Sequence, residues 1–335
     1  YKYVLRNGRF KGKYAEGPGY TTFVAFGGEV EKNCLYRALE GDYLANKHGL
    51  DTMETGIMVA WAIELYERGL LPKELVGDLN LKWGNMDAVL QLLEDIAYRR
   101  GLGDVLAEGA KQAVKRIGAG TAFYQMHSEG MDTLHSDERL TPILVLGIAA
   151  AIKGKDYFKA PFSGDIYSIP KKFFENICIR AGMGVDLYGN KEGPRSIFMQ
   201  ECFYALVDAL GICKFYRPFL SPEKPKWEEC SRLIELITGL RYTTDQLMKA
   251  GQRILNLERL FNIREGVSRA NDSLPKRFFG ESQLGSGVGS PMVDREKFDT
   301  LLNEYYEIHG WDEQGRPTPE TLKRLGLDRE PSRLL

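Results

Sequence analysis

Apolar residues recur at the three- and four-residue steps of an α-helix along most of this 335-residue chain, and glycines stand where the runs stop. Over 87–100, Val89, Leu90, Leu92, Leu93, Ile96 and Ala97 share one face. Asp87 in the first turn and Arg99 and Arg100 in the last suit the helix dipole, and Gly101 follows. Residues 53–69 carry Ile57, Ala60, Trp61, Ile63 and Leu65 and end at Gly69. Asp104 is placed to cap another helix, with Val105, Leu106, Ala110, Ala113, Val114 and Ile117 along one side and Gly118 and Gly120 as its stop. These last two helices of the pair around Gly101 are expected to lie antiparallel. Further helices are predicted over 171–180, 196–210, 228–236, 244–265 and from about Asp294 to His309, ahead of a polar tail. The glycine- and aromatic-rich first 30 residues read as loops and short extended segments, and 121–170 is less regular. Strand-like alternation is scarce. The fold class is therefore mainly α, in two helical domains, 1–125 and 126–335, divided where the helical pair ends.

Charge and cysteine usage narrow the function classes. Lys plus Arg number 45 and Asp plus Glu 46, a net charge of −1. Nucleic-acid binders and polybasic membrane-surface proteins carry a basic excess, so neither partner is expected. The longest apolar run, 143–152, is ten residues, and a membrane span takes about 20. Five cysteines (Cys34, Cys178, Cys202, Cys213, Cys230) at irregular spacing, with no C-x-x-C pair, argue against a disulfide framework and for a reducing cytoplasm. They close no metal site by themselves. The chain begins at Tyr1 without a signal-peptide pattern and is expected to be part of a longer one.

Three stretches invite a chemical reading, each beside a plainer one. Gly285-Ser-Gly287-Val-Gly289 has the glycines of a phosphate loop but neither the preceding strand nor the following helix, so it reads as a flexible loop. His127-Ser128-Glu129-Gly130-Met131-Asp132 and His135-Ser136-Asp137 gather two histidines and three carboxylates, enough for a general acid or a metal ligand, or simply a solvated loop. Asn46-Lys-His-Gly49-Leu50-Asp51 and Asp208-Ala-Leu-Gly211-Ile212-Cys213 rhyme. Each sets a short acceptor ahead of a glycine where backbone can approach a ligand, and such acceptors suit the amino groups of a heterocycle. Two similar helix C-caps would look the same.

The sequence also resembles the aldehyde:ferredoxin oxidoreductase family over nearly its whole length. The matching phrases are Gly17-Pro18-x-Tyr20, 46–51, Leu81-Lys-Trp83-Gly84-Asn85, Gly103-Asp104-Val-Leu-Ala-Glu108-Gly109 and 208–213. They continue in Asn256-Leu-Glu258-Arg259-Leu-Phe-Asn262-x-Arg264-Glu265-Gly266, Leu274-Pro275-x-Arg277-Phe278 and Tyr305-Tyr306-Glu307-x-x-Gly310-Trp311. The resemblance implies the two helical domains that follow a β-rich, cofactor-bearing domain, absent from this chain. It implies a tungstopterin (tungsten or molybdenum with two pterins) and a [4Fe–4S] cluster, both needing that N-terminal part. The implied reaction is oxidation of an aldehyde to a carboxylate, with electrons passed to ferredoxin or an iron–sulfur subunit, in a homodimer.

By the same resemblance, Asn46, Leu50, Asp51, Asp208 and Ile212 are pterin contacts, Lys159 a further one, and Cys213 a cluster ligand. Asn46 stands where the family usually has Asp. The family's Gly-Pro-Glu-Tyr-Glu phrase reads Gly17-Pro18-Gly19-Tyr20-Thr21 here, and its catalytic His falls on Tyr157 in Lys155-Asp156-Tyr157-Phe158-Lys159. Tyr157 retains a hydrogen-bond donor, and Asp156 or Glu29 is a substitute base. Cys34 is either a soft tungsten ligand or a buried free thiol. These departures leave two alternatives beside aldehyde oxidation: an acyl-CoA or benzoyl-CoA-reductase-type branch, and a binding or assembly homologue without catalysis.

Overall fold

A short antiparallel hairpin opens the chain, β1 (Lys2–Val4) against β2 (Tyr14–Glu16), with Lys2 opposite Glu16. The coordinates are a computed structural model describing residues 2–28, 30, 34–118, 120–128, 131–132, 142–152, 193–213, 227–282 and 292–330. The chain divides into two units, Tyr1–His135 with Pro275–Arg277, and Ser136–Leu274 with Phe278–Leu335. The described residues are mainly helical, as the periodicity predicts.

In the first unit the hairpin leads into α1 (Tyr20–Gly27), α2 (Leu35–Lys47), α3 (Thr52–Glu67), a single turn α4 (Lys73–Val76), α5 (Met86–Ala97), α6 (Leu102–Leu106) and α7 (Ala110–Ile117). The extended reading of the first 30 residues misses α1, which buries Ala25 and Phe26. It packs on α2 and α3, and the approach to α3 is close: a Cβ on Gly56 would lie 2.4 Å from the Ala25 Cβ. The core runs through Val59, Ile63 and Leu65 of α3 and Val89, Leu90, Leu92 and Leu93 of α5. Each fully buried aliphatic side chain contributes roughly 1.5–3 kcal/mol. The single helix expected from Asp104 to Ile117 is two. Gly109 takes a φ of 78° between α6 and α7, a conformation that breaks a right-handed helix while leaving the apolar spacing intact. Gly101, not Asp104, precedes α6, and Asp104 instead holds Arg116 at 2.9 Å. Segment 275–277 joins this unit, with Arg277 donating to Glu64 Oε2 at 2.9 Å while Arg68 takes Oε1.

The second unit contains α8 (Pro142–Ala149), α9 (Gly193–Ala209), α10 (Trp227–Thr238), α11 (Thr244–Arg264), α13 (Arg295–His309) and α14 (Pro319–Leu325); α12 (Lys276–Gly280) begins at the 275–277 segment. α9 is the centre, packed on α8, α11 and α13. The α9–α11 contact is backbone-close, since a Cβ on Gly251 would lie 2.2 Å from the Cys202 carbonyl oxygen. Thr243 and Gln246 start α11 with a reciprocal capping box. The expected polar tail contains α14, whose Leu322 and Leu325 join Leu260 and Leu327 in a small core. The tail's high charge hid only three apolar positions. The helix predicted over 171–180 and the glycine loop at 285–289 lie outside the described residues. No helix among the described residues is long and apolar enough to cross a membrane.

Candidate functional site

The first rhyming phrase is the turn between α2 and α3. Leu50 N–H bonds to Ala45 O at 2.9 Å and Gly49 N–H to Asn46 O at 3.1 Å, with Gly49 at φ 69°. This is a Schellman closure, which only glycine adopts without strain. Asp51 then caps α3, its Oδ1 accepting from Glu54 N–H at 2.8 Å. Its other carboxylate oxygen stays on an exposed residue. Asn46, also exposed, gives its Nδ2 to Asp42 one turn back, at 2.9 Å to the carbonyl and 3.0 Å to Oδ1. The second oxygen of Asp42 accepts from the Tyr3 hydroxyl at 2.5 Å. Burial pushes the Asp42 carboxyl above its ordinary value, while the Tyr3 and Asn46 donors pull it down. Gly17 stands against that carboxylate, where a Cβ would lie 3.9 Å from either oxygen. Asp42, Asn46 and the Gly17-Pro18-Gly19-Tyr20 phrase are thus neighbours, and the Thr22 and Thr52 hydroxyls meet at 2.7 Å between α1 and α3.

The second phrase closes α9 in the same way. Ile212 N–H bonds to Val207 O and Gly211 N–H to Asp208 O, both at 3.0 Å, with Gly211 at φ 69°. Asp208 and Cys213 are exposed, and Ile212 is half-buried beside Phe203 and Leu206. The C-cap reading of the rhyme thus holds at the backbone. The same closure also ends α3 at Gly69, α11 at Gly266, α13 at Gly310 and α14 at Gly326, where Tyr66, Ile263, Glu307 and Lys323 stand in the place of Asn46 and Asp208. The turn is a general device of the fold. What sets the two phrases apart is a short exposed acceptor at its start. Sequence 307–312 even repeats the pattern, as Glu-Ile-His-Gly-Trp-Asp, but its Trp311 is 5% exposed and belongs to the core.

That third copy lies in a buried polar network of the second unit. Arg259 grips Asp272 with two bonds at 2.9 and 2.6 Å and reaches Gly315 O at 2.8 Å. Tyr306 also donates to Asp272, Tyr305 donates to Glu201 at 2.9 Å, and Trp311 Nε1 donates to Asn256 Oδ1 at 2.9 Å. His309 is stacked among Phe198, Tyr305 and Trp311, and neither of its ring nitrogens makes a hydrogen bond. Glu201 Oε2 is 3.2 Å from Nε2, but burial and the Arg259 charge lower the imidazole to about 3, so it is neutral. The long phrases at 256–266 and 305–311 are therefore scaffold.

Cys34 sits half-buried at the N-terminus of α2 and makes no side-chain cap bond. Glu29, Asp156, Tyr157 and Lys159 lie outside the described residues, as do His135 and Asp137; His127 and Asp132 pair in a two-residue antiparallel ladder of β3 (His127–Ser128) and β4 (Met131–Asp132). No group of three metal-ligating side chains occurs among the described residues. Sequence reasoning missed Asp42 and Tyr3; the four-residue step from Asp42 to Asn46 was the available signal.

Residues 2–327 match the family model "Aldehyde ferredoxin oxidoreductase, domains 2 & 3", and the chain belongs to that family. It is 31% identical over 318 residues to the tungsten-containing aldehyde ferredoxin oxidoreductase of Pyrococcus horikoshii, covering 93% of this chain and 49% of that protein. It is 29% identical to the WOR-like subunit of an aliphatic sulfonate oxidoreductase of Pyrococcus furiosus, covering 96% and 48%. The chain thus spans about half the length of the curated relatives it matches. A solved structure, the active site complex BamBC of benzoyl coenzyme A reductase with 1,5 dienoyl-CoA, superposes with a TM-score of 0.73 at 25% identity, over 94% of this chain and 49% of that one.

Proposed function

We propose that this chain forms the cofactor-flanking part of a tungsten–pterin oxidoreductase that acts on an aldehyde. The observation that carries the reading is the outward acceptor of each helix-end phrase. Asn46 has both amide protons directed at Asp42, which leaves its carbonyl oxygen for a ligand, and Asp208 stands exposed at the matching place in α9. These residues fit a pterin, whose amino groups need acceptors. Asn46, Asp51 and Asp208 would accept those hydrogen bonds, Leu50 and Ile212 would line the ring, and Lys159 would add a further contact. The exposed Cys213 thiol fits a cluster as one ligand of four; the remaining three come from elsewhere. When bound, the metal–pterin group would supply two-electron oxidation, and a cluster would supply single-electron transfer towards ferredoxin or an iron–sulfur subunit. Tyr157 would donate a hydrogen bond to the substrate oxygen, and Asp156 or Glu29 would take the proton from the attacking water. Cys34 remains a soft donor beside that chemistry.

A second reading is favoured by two observations. Gly19 and Thr21 stand where carboxylates are expected, and the structural neighbour is a benzoyl coenzyme A reductase holding a dienoyl-CoA. An acyl-CoA substrate reduced, rather than an aldehyde oxidised, would accommodate both. Elemental analysis of the native protein, purified without oxygen, tests the shared part. About one tungsten and four irons per chain support it; iron without tungsten or molybdenum points to a binding or assembly role instead. A turnover screen with aldehydes and acyl-CoA thioesters then separates the two substrates.

A further inference from the structure

We propose that Asp42 is a positioning residue that locks the Asn46 amide with its carbonyl outward, so that position 46 offers an uncharged acceptor to a pterin amino group. The inference rests on the reading that the 46–51 phrase holds a pterin. Asp42 is 2% exposed, and it precedes Asn46 by one turn on the same face of α2. Asn46 faces two oxygens there, the Asp42 carbonyl at 2.9 Å and Oδ1 at 3.0 Å. Neither can donate, so only the NH2 edge of the amide satisfies them, and the carbonyl edge is left facing away. The carboxylate is itself held. The Tyr3 hydroxyl donates to Oδ2 at 2.5 Å, and the Gly17 backbone closes the remaining side. Donors on both oxygens match an ionised Asp42.

The same geometry accounts for an amide at position 46. A carboxylate there would face the buried Asp42 charge at hydrogen-bond distance, and one of the two would be driven to hold a proton. The Asn amide gives a donor inward and an acceptor outward at once, on two different atoms. The polarity of the pair is therefore set by residue 42. With Asn at 42, its oxygen would still accept from Tyr3 and its NH2 would face residue 46 against the unchanged backbone carbonyl, so the Asn46 amide loses its single preferred orientation and its carbonyl no longer points outward in every molecule. With the two residues exchanged, the NH2 of residue 42 faces the carboxylate of residue 46, and an outward acceptor returns, now carrying the charge.

The experiment measures pterin released from the native protein and its variants after anaerobic purification and exhaustive gel filtration, with thermal unfolding as the control for fold. Asp42→Asn should lower retained pterin about fivefold, the worth of roughly one hydrogen bond, at an unchanged melting temperature. The exchanged variant D42N/N46D should restore it. Wild-type retention in Asp42→Asn, or an exchanged variant as poor as the single one, overturns the proposal. Should Asp42→Asn fail to accumulate, Asp42→Ala carries the same test, because it removes the carboxylate oxygen to which the Asn46 amide donates; unchanged retention there overturns the proposal too. Asn46→Ala separates the two levels. If it loses pterin while Asp42→Asn does not, the pterin reading stands and the positioning role falls. If Asn46→Ala keeps its pterin, or the wild-type protein holds none, the reading beneath the proposal falls with it.

Discussion

His309 couples the stability of the second unit to pH. Its imidazole is held neutral to about 3 in the folded state, against an ordinary value of 6.5. As pH falls below 6.5, the unfolded chain takes up a proton that the folded chain refuses, so stability is lost across that window. The slope approaches about 1.4 kcal/mol per pH unit below the ordinary value. His309→Phe, which keeps the ring stack and breaks no hydrogen bond, should flatten the urea-unfolding profile between roughly pH 6 and pH 5 by about that slope. Arg259 and Asp272, 1% and 3% exposed, form a pair that tolerates no half-removal. Asp272→Ala should cost about 3–5 kcal/mol, read in the same unfolding experiment, by leaving a buried guanidinium uncompensated. Neither effect was legible in the sequence. The phrases around Arg259 and Tyr305 carry the family resemblance, but nothing in their spacing separates a buried ion pair from a ligand site, because Arg259 meets Asp272 through the fold and not through helical register.

Helix packing in both units depends on missing side chains. Gly251 lets α11 approach the α9 backbone, and Gly251→Ala should destabilise by about 1–3 kcal/mol, visible as a lowered melting temperature, because the contacted atom is a main-chain carbonyl that cannot swing aside. Thr243→Ala should cost about 1 kcal/mol by removing half of the capping box of α11. Most helices were legible at this scale: α3, α5, α9, α10, α11 and α13 fall within a few residues of the expected spans. The failures share a cause. The apolar step of α6 continues in phase into α7, so periodicity reads through the Gly109 break. In α1 the run is too short and too uniformly apolar to show a face. In α14 only two leucines sit among charges. The rhyme of 46–51 with 208–213 was legible as a pair of helix ends; that an Asp42 one turn inside orients the first acceptor was not, since orientation is a property of the packed side chains.

At the scale of the whole molecule, the candidate acceptors Asn46 and Asp208 stand apart from the cores of the two units. The candidate acceptors are exposed, whereas the cores of the two units are closed by Leu, Ile, Val and aromatic side chains. Asp208→Ala should therefore leave the unfolding free energy within about 0.5 kcal/mol of wild type while pterin content falls; equal pterin in mutant and wild type would remove Asp208 from the site. The recurrence of one turn at six glycine-closed helix ends extends this separation beyond present contacts. The backbone at Gly69 or Gly266 is already shaped like that at Gly49 and Gly211, while the side chain three residues earlier is Tyr66 or Ile263 rather than a short acceptor. A ligand contact can thus be gained or lost by exchanging one surface residue on a turn that folds regardless.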